Sequence, residues 1–352
     1  MSETGIQKYD IAVIGSGPGG FAAAVRAAQL GAKAVIIEKA ETGGTCLNCG
    51  CIPIKFYWQA LKTKQKIQKS YEYGFKADLK PFSFSDIAAK KDKNIANIRK
   101  GMEMILSSYG IKTVKGSASF KTNNILIVSG NEICADKIII ACGTKASSIK
   151  GLEFDGVKII DSTDALNLKE IPETLLVAGG GAIGVEMATI FTGFGSKVTI
   201  AEYCDRLVPS EDFEVSQEIK KNMQRQGIEV LTQCENAADM AKNFEKVLIA
   251  AGRVPDGALN IKDVSIETDG KGFIKTDEYC RTNIENIYAA GDIAGKNLLA
   301  YTAQNEGAIA AENAVMGNNI KIDNSVIVQA VFSMPQSASV KVSGFGNYED
   351  IV

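Results

Sequence analysis

Histidine is absent from all 352 residues of the chain. That removes the side chain that most often serves as a general base near neutral pH, the commonest metal ligand, and every Ser–His or Cys–His nucleophilic pair. Neither sign of charge is in excess. Thirty-nine basic residues face 41 acidic ones, and a net charge of −2 argues against a nucleic-acid or polyanion partner. No apolar run approaches the ~20 residues that a membrane-spanning helix needs. The N-terminus, Met1 to Asp10, is polar and leads straight into a strand, so no signal peptide is expected. The eight cysteines then point to a reducing, cytoplasmic setting, where a disulfide is more often catalytic or sensing than structural.

What the chain does have is one pattern written twice. Tyr9 to Ile14 reads as a short apolar strand, followed by the turn Gly15-Ser16-Gly17-Pro18-Gly19-Gly20. An alanine-rich helix from Phe21 to Leu30 comes next, then a strand from Ala34 to Ile37 that ends at Glu38. The order recurs as strand Thr174 to Ala178, turn Gly179-Gly180-Gly181-Ala182-Ile183-Gly184, a helix to Phe194, and strand Lys197 to Ala201 ending at Glu202. Gly15 stands 23 residues before Glu38, and Gly179 stands 23 before Glu202. Within each turn the first, middle and last glycines have separate tasks: a tight turn, close approach of backbone to a pyrophosphate, and close helix–strand packing. The helix N-terminus offers free N–H groups to phosphate, and the acid accepts hydrogen bonds from a ribose diol. Two dinucleotide-binding units are expected. Glu202 would repel the 2′-phosphate of NADP, and no arginine occupies the next three positions, although Arg206 follows them. NADH is the expected nucleotide of the second copy.

Between the copies lies Gly43-Gly44-Thr45-Cys46-Leu47-Asn48-Cys49-Gly50-Cys51-Ile52-Pro53-Ile54-Lys55, with three thiols in six residues. A helix is expected to start at Pro53, since proline suits a first helical turn. Thiols just before a helix feel its positive end and lose protons more readily, which suits a reversible two-electron couple.

The order of first fingerprint, thiol segment, second fingerprint and late Ala-Gly-Asp resembles the class I flavin disulfide reductases, over roughly residues 8 to 340. The resemblance implies an α/β fold of two Rossmann-like FAD/NAD(P)-binding domains of three-layer ββα type. The FAD domain would be 1–145 and 273–320, the inserted NAD domain 146–272, and 321–352 a remnant of an interface domain. It implies FAD in the first fold, and a physical argument agrees. The thiols follow the first fingerprint at once, and a thiol pair that exchanges electrons with NADH needs an intermediary. By the same match Cys51 is the thiolate facing the flavin, and Cys46 is the outer thiol that exchanges with substrate. Lys55 and Glu186 fall where the family places an ion pair near the flavin N5 and the nicotinamide. Lys39, Gly44, Thr45 and Gly143 fall on the FAD side, and Gly116-Ser117-Ala118 resembles a segment touching the adenine end. Ala289-Ala290-Gly291-Asp292 resembles the second FAD motif, with Asp292 accepting from the ribityl chain and Ala300 nearby. Gly252-Arg253-Val254-Pro255 matches a loop lining the NAD site.

Elsewhere, Ile54 to Ser70 and Phe84 to Tyr109 read as an antiparallel helix pair, from apolar spacing such as Ile95, Ile98, Met102 and Ile105. The lysines at 62, 64, 66 and 69 read as a solvated face. Short strands are expected between Ile111 and Ile140, and a helix from Leu298 to Met316. Cys134, Cys142, Cys204, Cys234 and Cys280 are expected to be buried small hydrophobes.

Three departures from the family pattern matter. Only Ile327 to Gly344 resembles part of the interface domain, its opening strand. The segment from Thr232 to the strand Lys246 to Ala251 is short for an NAD domain, so strands are expected to be missing. Cys49 replaces an apolar residue, making Cys46-Leu47-Asn48-Cys49 a competing C-x-x-C. The family takes its dithiol base from a partner subunit's His–Glu pair, which a homodimer of this chain cannot supply. The resulting readings are a flavoprotein oxidoreductase passing electrons to a small-molecule or protein-borne disulfide or another acceptor, a truncated relative with only diaphorase-type activity, or a thiol redox sensor. No metal site is expected, because three thiols fall short of the four ligands a structural zinc wants. Oligomeric state is left open.

Overall fold

The computed structural model describes residues 7–257, 259–317 and 320–342. The polar N-terminus before Gln7 and the end of the segment 327–344 fall outside them. The chain clusters into two compact units. One is drawn from Met1–Asn48, Ala96–Lys145 and Val254–Asn324, the other from Cys49–Ile95, Ala146–Arg253 and Ser325–Val352. The chain passes between them within α2 (Gly44–Cys49), α4 (Phe84–Ser108), β7 (Thr144–Ala146) and β13 (Arg253–Pro255), and again after Asn324.

In the first unit, strands that are apolar on both faces make a parallel sheet covered on both sides. β1 (Gln7–Ile14) pairs in parallel with β2 (Ala34–Glu38) and β6 (Asn131–Ile140). β3 (Lys112–Lys115) extends the β2 side, and β14 (Ile287–Ala289) extends the β6 side. β4 (Ala118–Thr122) and β5 (Ile125–Val128) fold back antiparallel onto the start of β6. Ile11, Val13 and Ile36 pack on α1 (Pro18–Gln29) and α9 (Ala300–Met316). Ala12, Ile14, Val35 and Ile37 pack on the side of Phe120, Leu126 and Val128. Helices, sheet and meander give the three layers. The first helix starts at Pro18 rather than Phe21, because the proline ring presets the first helical φ.

The second unit is a five-stranded parallel sheet in the order β11 (Glu229–Leu231), β10 (Lys197–Ala201), β9 (Thr174–Ala178), β12 (Lys246–Ile249), β8 (Ile159–Ile160). α3 (Cys51–Gln68), α5 (Ser162–Asn167), α6 (Ala182–Phe194) and α7 (Phe213–Arg225) contribute to the core on one face. Leu152, Ala241 and residues of α8 (Ala237–Met240) line the other. The segment 327–342 is a hairpin, β15 (Val326–Val331) with β16 (Ser337–Val342), rather than one strand.

The long helix corrects the apolar stripe read from sequence. Its buried line runs Phe84, Ala88, Lys91, Ile95 and Leu106, while Ile98 is 37% and Ile105 43% exposed. Lys91 and Arg99 disguise that line, because charges sit on the inward stripe. The Lys91 ammonium is buried and donates to the Leu166 carbonyl at 2.8 Å, closing the end of α5. The lysine face of α3 is solvated only in part. Lys64 donates to the Gly193 carbonyl and Lys62 lies over the Trp58 ring, whereas Lys66 and Lys69 are exposed. Of the five scattered cysteines Cys280 is fully buried, Cys134, Cys142 and Cys234 are partly buried, and Cys204 is exposed.

Candidate functional site

Each unit carries the same loop, and each loop shows which glycines the fold itself demands. Gly15 has φ +99° and a Cβ there would stand 2.4 Å from the Ala141 carbonyl oxygen; one on Gly20 would meet the Gly15 oxygen at 1.9 Å. Gly179 (φ +114°) and Gly184 repeat this against Ala250 and Gly179, at 2.5 and 2.0 Å. The middle glycines are different. Gly17 and Gly181 are extended, at φ −63° and −69°. A Cβ on Gly17 would meet nothing nearer than 3.9 Å, and one on Gly181 nothing within 4 Å. Among the described residues no atom requires a glycine there, so the open space suits a group brought in from outside. α1 and α6 begin at these residues with no side-chain cap and no acid in the first turn. Their leading N–H groups therefore face that space without a side-chain acceptor, which fits a diphosphate.

The acids are held alike. Glu38 accepts from Ser16 N at 2.8 Å, Ser16 Oγ at 2.6 Å and Ala40 N at 2.8 Å. Glu202 accepts from Gly180 N and, at 2.6 Å, from Cys204 N. In both units the donors stand 22 residues before and two after the acid. A carboxylate has about four acceptor positions, so each acid is oriented by its own loop and keeps capacity for a ribose hydroxyl. A hydrogen bond to Glu202 raises the Cys204 thiol above its ordinary range. Lys39 is engaged elsewhere, 2.7 Å from Asp256. Beside that pair, burial pushes the Cys142 thiol up to about 12.

The thiols sit inside helices rather than ahead of one. Cys46 and Cys49 belong to α2, and Cys51 is the first residue of α3. Gly50, at φ −144° and ψ −111°, breaks the helix between them, so Pro53 is the third residue of α3 rather than its start. All three are half-buried. Gly44 (φ +58°) passes so close to the first loop that a Cβ on it would stand 2.6 Å from Gly17 Cα, which carries Thr45 and Cys46 to that loop. Asn48 holds the segment. Its amide donates to the Glu41, Thr42 and Gly44 carbonyls, and its Oδ1 accepts from Arg99 at 2.7 Å. Arg99 also reaches Glu41. Sequence reasoning gave neither Asn48 nor Arg99 a role; the only signal was a polar residue inside a short thiol motif.

In the second unit Lys55 Nζ lies 3.7 Å from Glu186 Oε1, which also accepts from Phe332 N at 3.0 Å. Burial raises the Glu186 carboxyl against the pull of Lys55 and the Phe332 N–H. The long contact to a lysine that is 38% exposed does not offset the desolvation. Lys55 also stands over the Phe332 ring, 4.0 Å from its centroid, and Trp58 packs edge-on to the same ring. Phe332 and Trp58 are further contributors that the sequence did not mark. Gly252 has φ +117°, and Arg253 is half-buried at the start of β13.

In the first unit Thr144 Oγ1 bonds Asp292 Oδ2 at 3.0 Å. Gly143 (φ +72°) has open space where a Cβ would stand. Ala300 is half-buried at the start of α9. The Ala118 methyl is buried in the meander core, which leaves its backbone as the part able to face a ligand.

The sequence profile described as pyridine nucleotide-disulphide oxidoreductase matches residues 9–307. The chain is 35% identical over 350 residues to a dihydrolipoyl dehydrogenase of Geobacillus stearothermophilus, covering 93% of this chain and 74% of that one. A dihydrolipoyl dehydrogenase of Acholeplasma laidlawii is 33% identical over 333 residues, with 90% of this chain and 99% of that protein aligned. Among solved structures, the Cu(II) complex of the HOCl-induced flavoprotein disulfide reductase RclA from Escherichia coli superposes with a TM-score of 0.83 at 28% identity. That match covers 96% of this chain and 78% of the other.

Proposed function

The chain belongs to the pyridine nucleotide-disulphide oxidoreductase family, and from that membership we propose that it relays two electrons between NADH and a Cys46–Cys51 disulfide. Enzymes of this type use FAD and a pyridine nucleotide. The observation that carries the reading is the pair of glycine loops, each leaving an unexplained gap at its middle glycine (Gly17, Gly181) above uncapped helix N–H groups. We assign the first loop, with Glu38 and Asp292, to FAD and the second, with Glu202, to NADH. When bound, the flavin supplies a carrier that takes a hydride and returns electrons in pairs.

The protein's own part is placement and charge. Glu38 and Glu202 orient the two riboses, and the carboxylate of Glu202 disfavours a 2′-phosphate. Lys55, tied to Glu186, presents a cation at a buried carboxyl and restrains the first turns of α3, which carry Cys51. In the net step NADH gives up a hydride, the Cys46–Cys51 bond accepts the electron pair and breaks, and one further proton from solvent completes the two thiols. Cys46 then exchanges with an acceptor disulfide. The chain has no imidazole to assist that exchange, so a gain of ~10²–10⁴-fold from a general base of matched pKa is not available from a histidine of this chain. We therefore expect NADH:dye reduction to exceed lipoamide reduction. One observation favours a second pairing: Cys46 and Cys49 are three apart in a single helix, α2.

Purified protein should be yellow, and anaerobic NADH should bleach the flavin band. Cys51→Ser should abolish the long-wavelength thiolate–flavin absorption of the two-electron-reduced form, while Cys49→Ser keeps it. A colourless protein that takes up no FAD would remove the reading.

A further inference from the structure

Glu306, in α9, is 2% exposed, yet its two carboxyl oxygens are unequally served. Oε2 accepts from the Gly291 backbone N–H at 2.7 Å; among the described residues Oε1 has no hydrogen-bond partner. A buried polar atom without a partner is costly, so a carboxyl kept there needs a reason beyond packing. Its surroundings supply one. Gly291 opens the turn Gly291–Ala294 that carries Asp292, and its own φ is +77°. The next residue on the helix, Gly307, touches the first glycine loop so closely that a Cβ would stand 2.0 Å from the Gly19 carbonyl oxygen. One helix turn earlier, Ala303 lies against both Gly19 and Gly291. α9 thus brings together the glycine loop and the Asp292 turn, and Glu306 is the side chain that bonds the turn.

We propose that Glu306 is a positioning residue of the FAD site, tying the Asp292 turn to the helix that packs against the first glycine loop. The proposal rests on the first loop being the FAD loop. The charged groups facing Glu306 are Asp292, in the turn, and Lys296, two residues past its end; Cys280 donates its thiol to the Glu306 backbone carbonyl at 3.4 Å. Arg26 of α1, further along, is committed to Glu312. Burial and the nearby Asp292 hold the Glu306 carboxyl above its usual range, while Lys296 and the Gly291 N–H pull the other way. The protonated form, which burial favours, keeps the bond to Gly291 without placing a second negative charge beside Asp292.

The test is the FAD dissociation constant of reconstituted apoprotein, from flavin fluorescence between pH 5 and 9, for wild type, Glu306→Gln and Glu306→Ala. The wild type should bind less tightly as pH rises. E306Q, which keeps the acceptor and cannot ionise, should match it within about threefold at low pH and lose the pH trend. E306A should bind at least tenfold more weakly at every pH. E306A binding within twofold of wild type overturns the proposal, as does a pH trend in E306Q equal to wild type. Should E306A fail to fold, Glu306→Asp decides: it keeps the carboxyl but shortens its reach to the Gly291 N–H, should bind FAD at least tenfold more weakly than wild type, and overturns the proposal if it binds within twofold. A wild type that binds no FAD at any pH refutes the FAD reading itself, a separate outcome.

Discussion

At the scale of single residues, the two acids that close the strands and the glycines that open the helices were legible because each has a fixed mechanical task at fixed spacing. Their partners were not. Glu38 and Glu202 are both gripped by backbone N–H groups of their own loops, and no sequence pattern announces a backbone donor. Glu202→Ala should remove one charged acceptor worth about 1.5–3 kcal/mol. The ratio of kcat/KM for NADH over NADPH should then fall roughly ten- to hundredfold; an unchanged ratio would assign the selectivity elsewhere. Glu186 makes a prediction about pH. Its folded carboxyl lies above the ordinary value of 4.5 because it is buried, so folding favours its protonated form. The stabilisation is full below pH 4.5 and is lost as pH rises through the folded value. Urea melts of Glu186→Gln should therefore lose less stability than wild type between pH 4.5 and neutrality. A steeper loss in the variant would contradict the assigned direction.

Among elements, the strands and the two fingerprint helices followed from apolar runs bounded by glycine, with ends displaced by a few residues. The long helix α4 was misread along its length. Periodicity arguments assume that charges point outward, and Lys91 and Arg99 point inward because each has a specific acceptor: the Leu166 carbonyl for one, Asn48 and Glu41 for the other. Ile95→Ala, on the buried line, should cost about 2–5 kcal/mol, whereas Ile105→Ala should cost within about 0.5 kcal/mol. Equal costs in chemical denaturation would restore the stripe read from sequence. The thiol segment shows the same limit. Proline suggested the start of a helix, but Gly50 makes the break, and α2 and α3 carry the cysteines that were expected just ahead of a helix.

For the whole molecule, the family, the α/β class and the enzyme type were readable because the motifs recur in one order along the chain. The absence of histidine is a plain count of the sequence. With no histidine anywhere, an imidazole-acylating reagent should leave the rate of NADH-driven thiol formation unchanged; a loss of rate would contradict this.

The most direct measurement follows electrons from nicotinamide to sulfur. Oxidised, FAD-loaded protein is alkylated with a light reagent, reduced anaerobically with one equivalent of NADH, alkylated with the heavy form and mapped by peptide mass spectrometry. The account predicts heavy label on Cys46 and Cys51, with Cys49 already carrying the light form. Heavy label on Cys46 and Cys49, or on no cysteine at all, would contradict it.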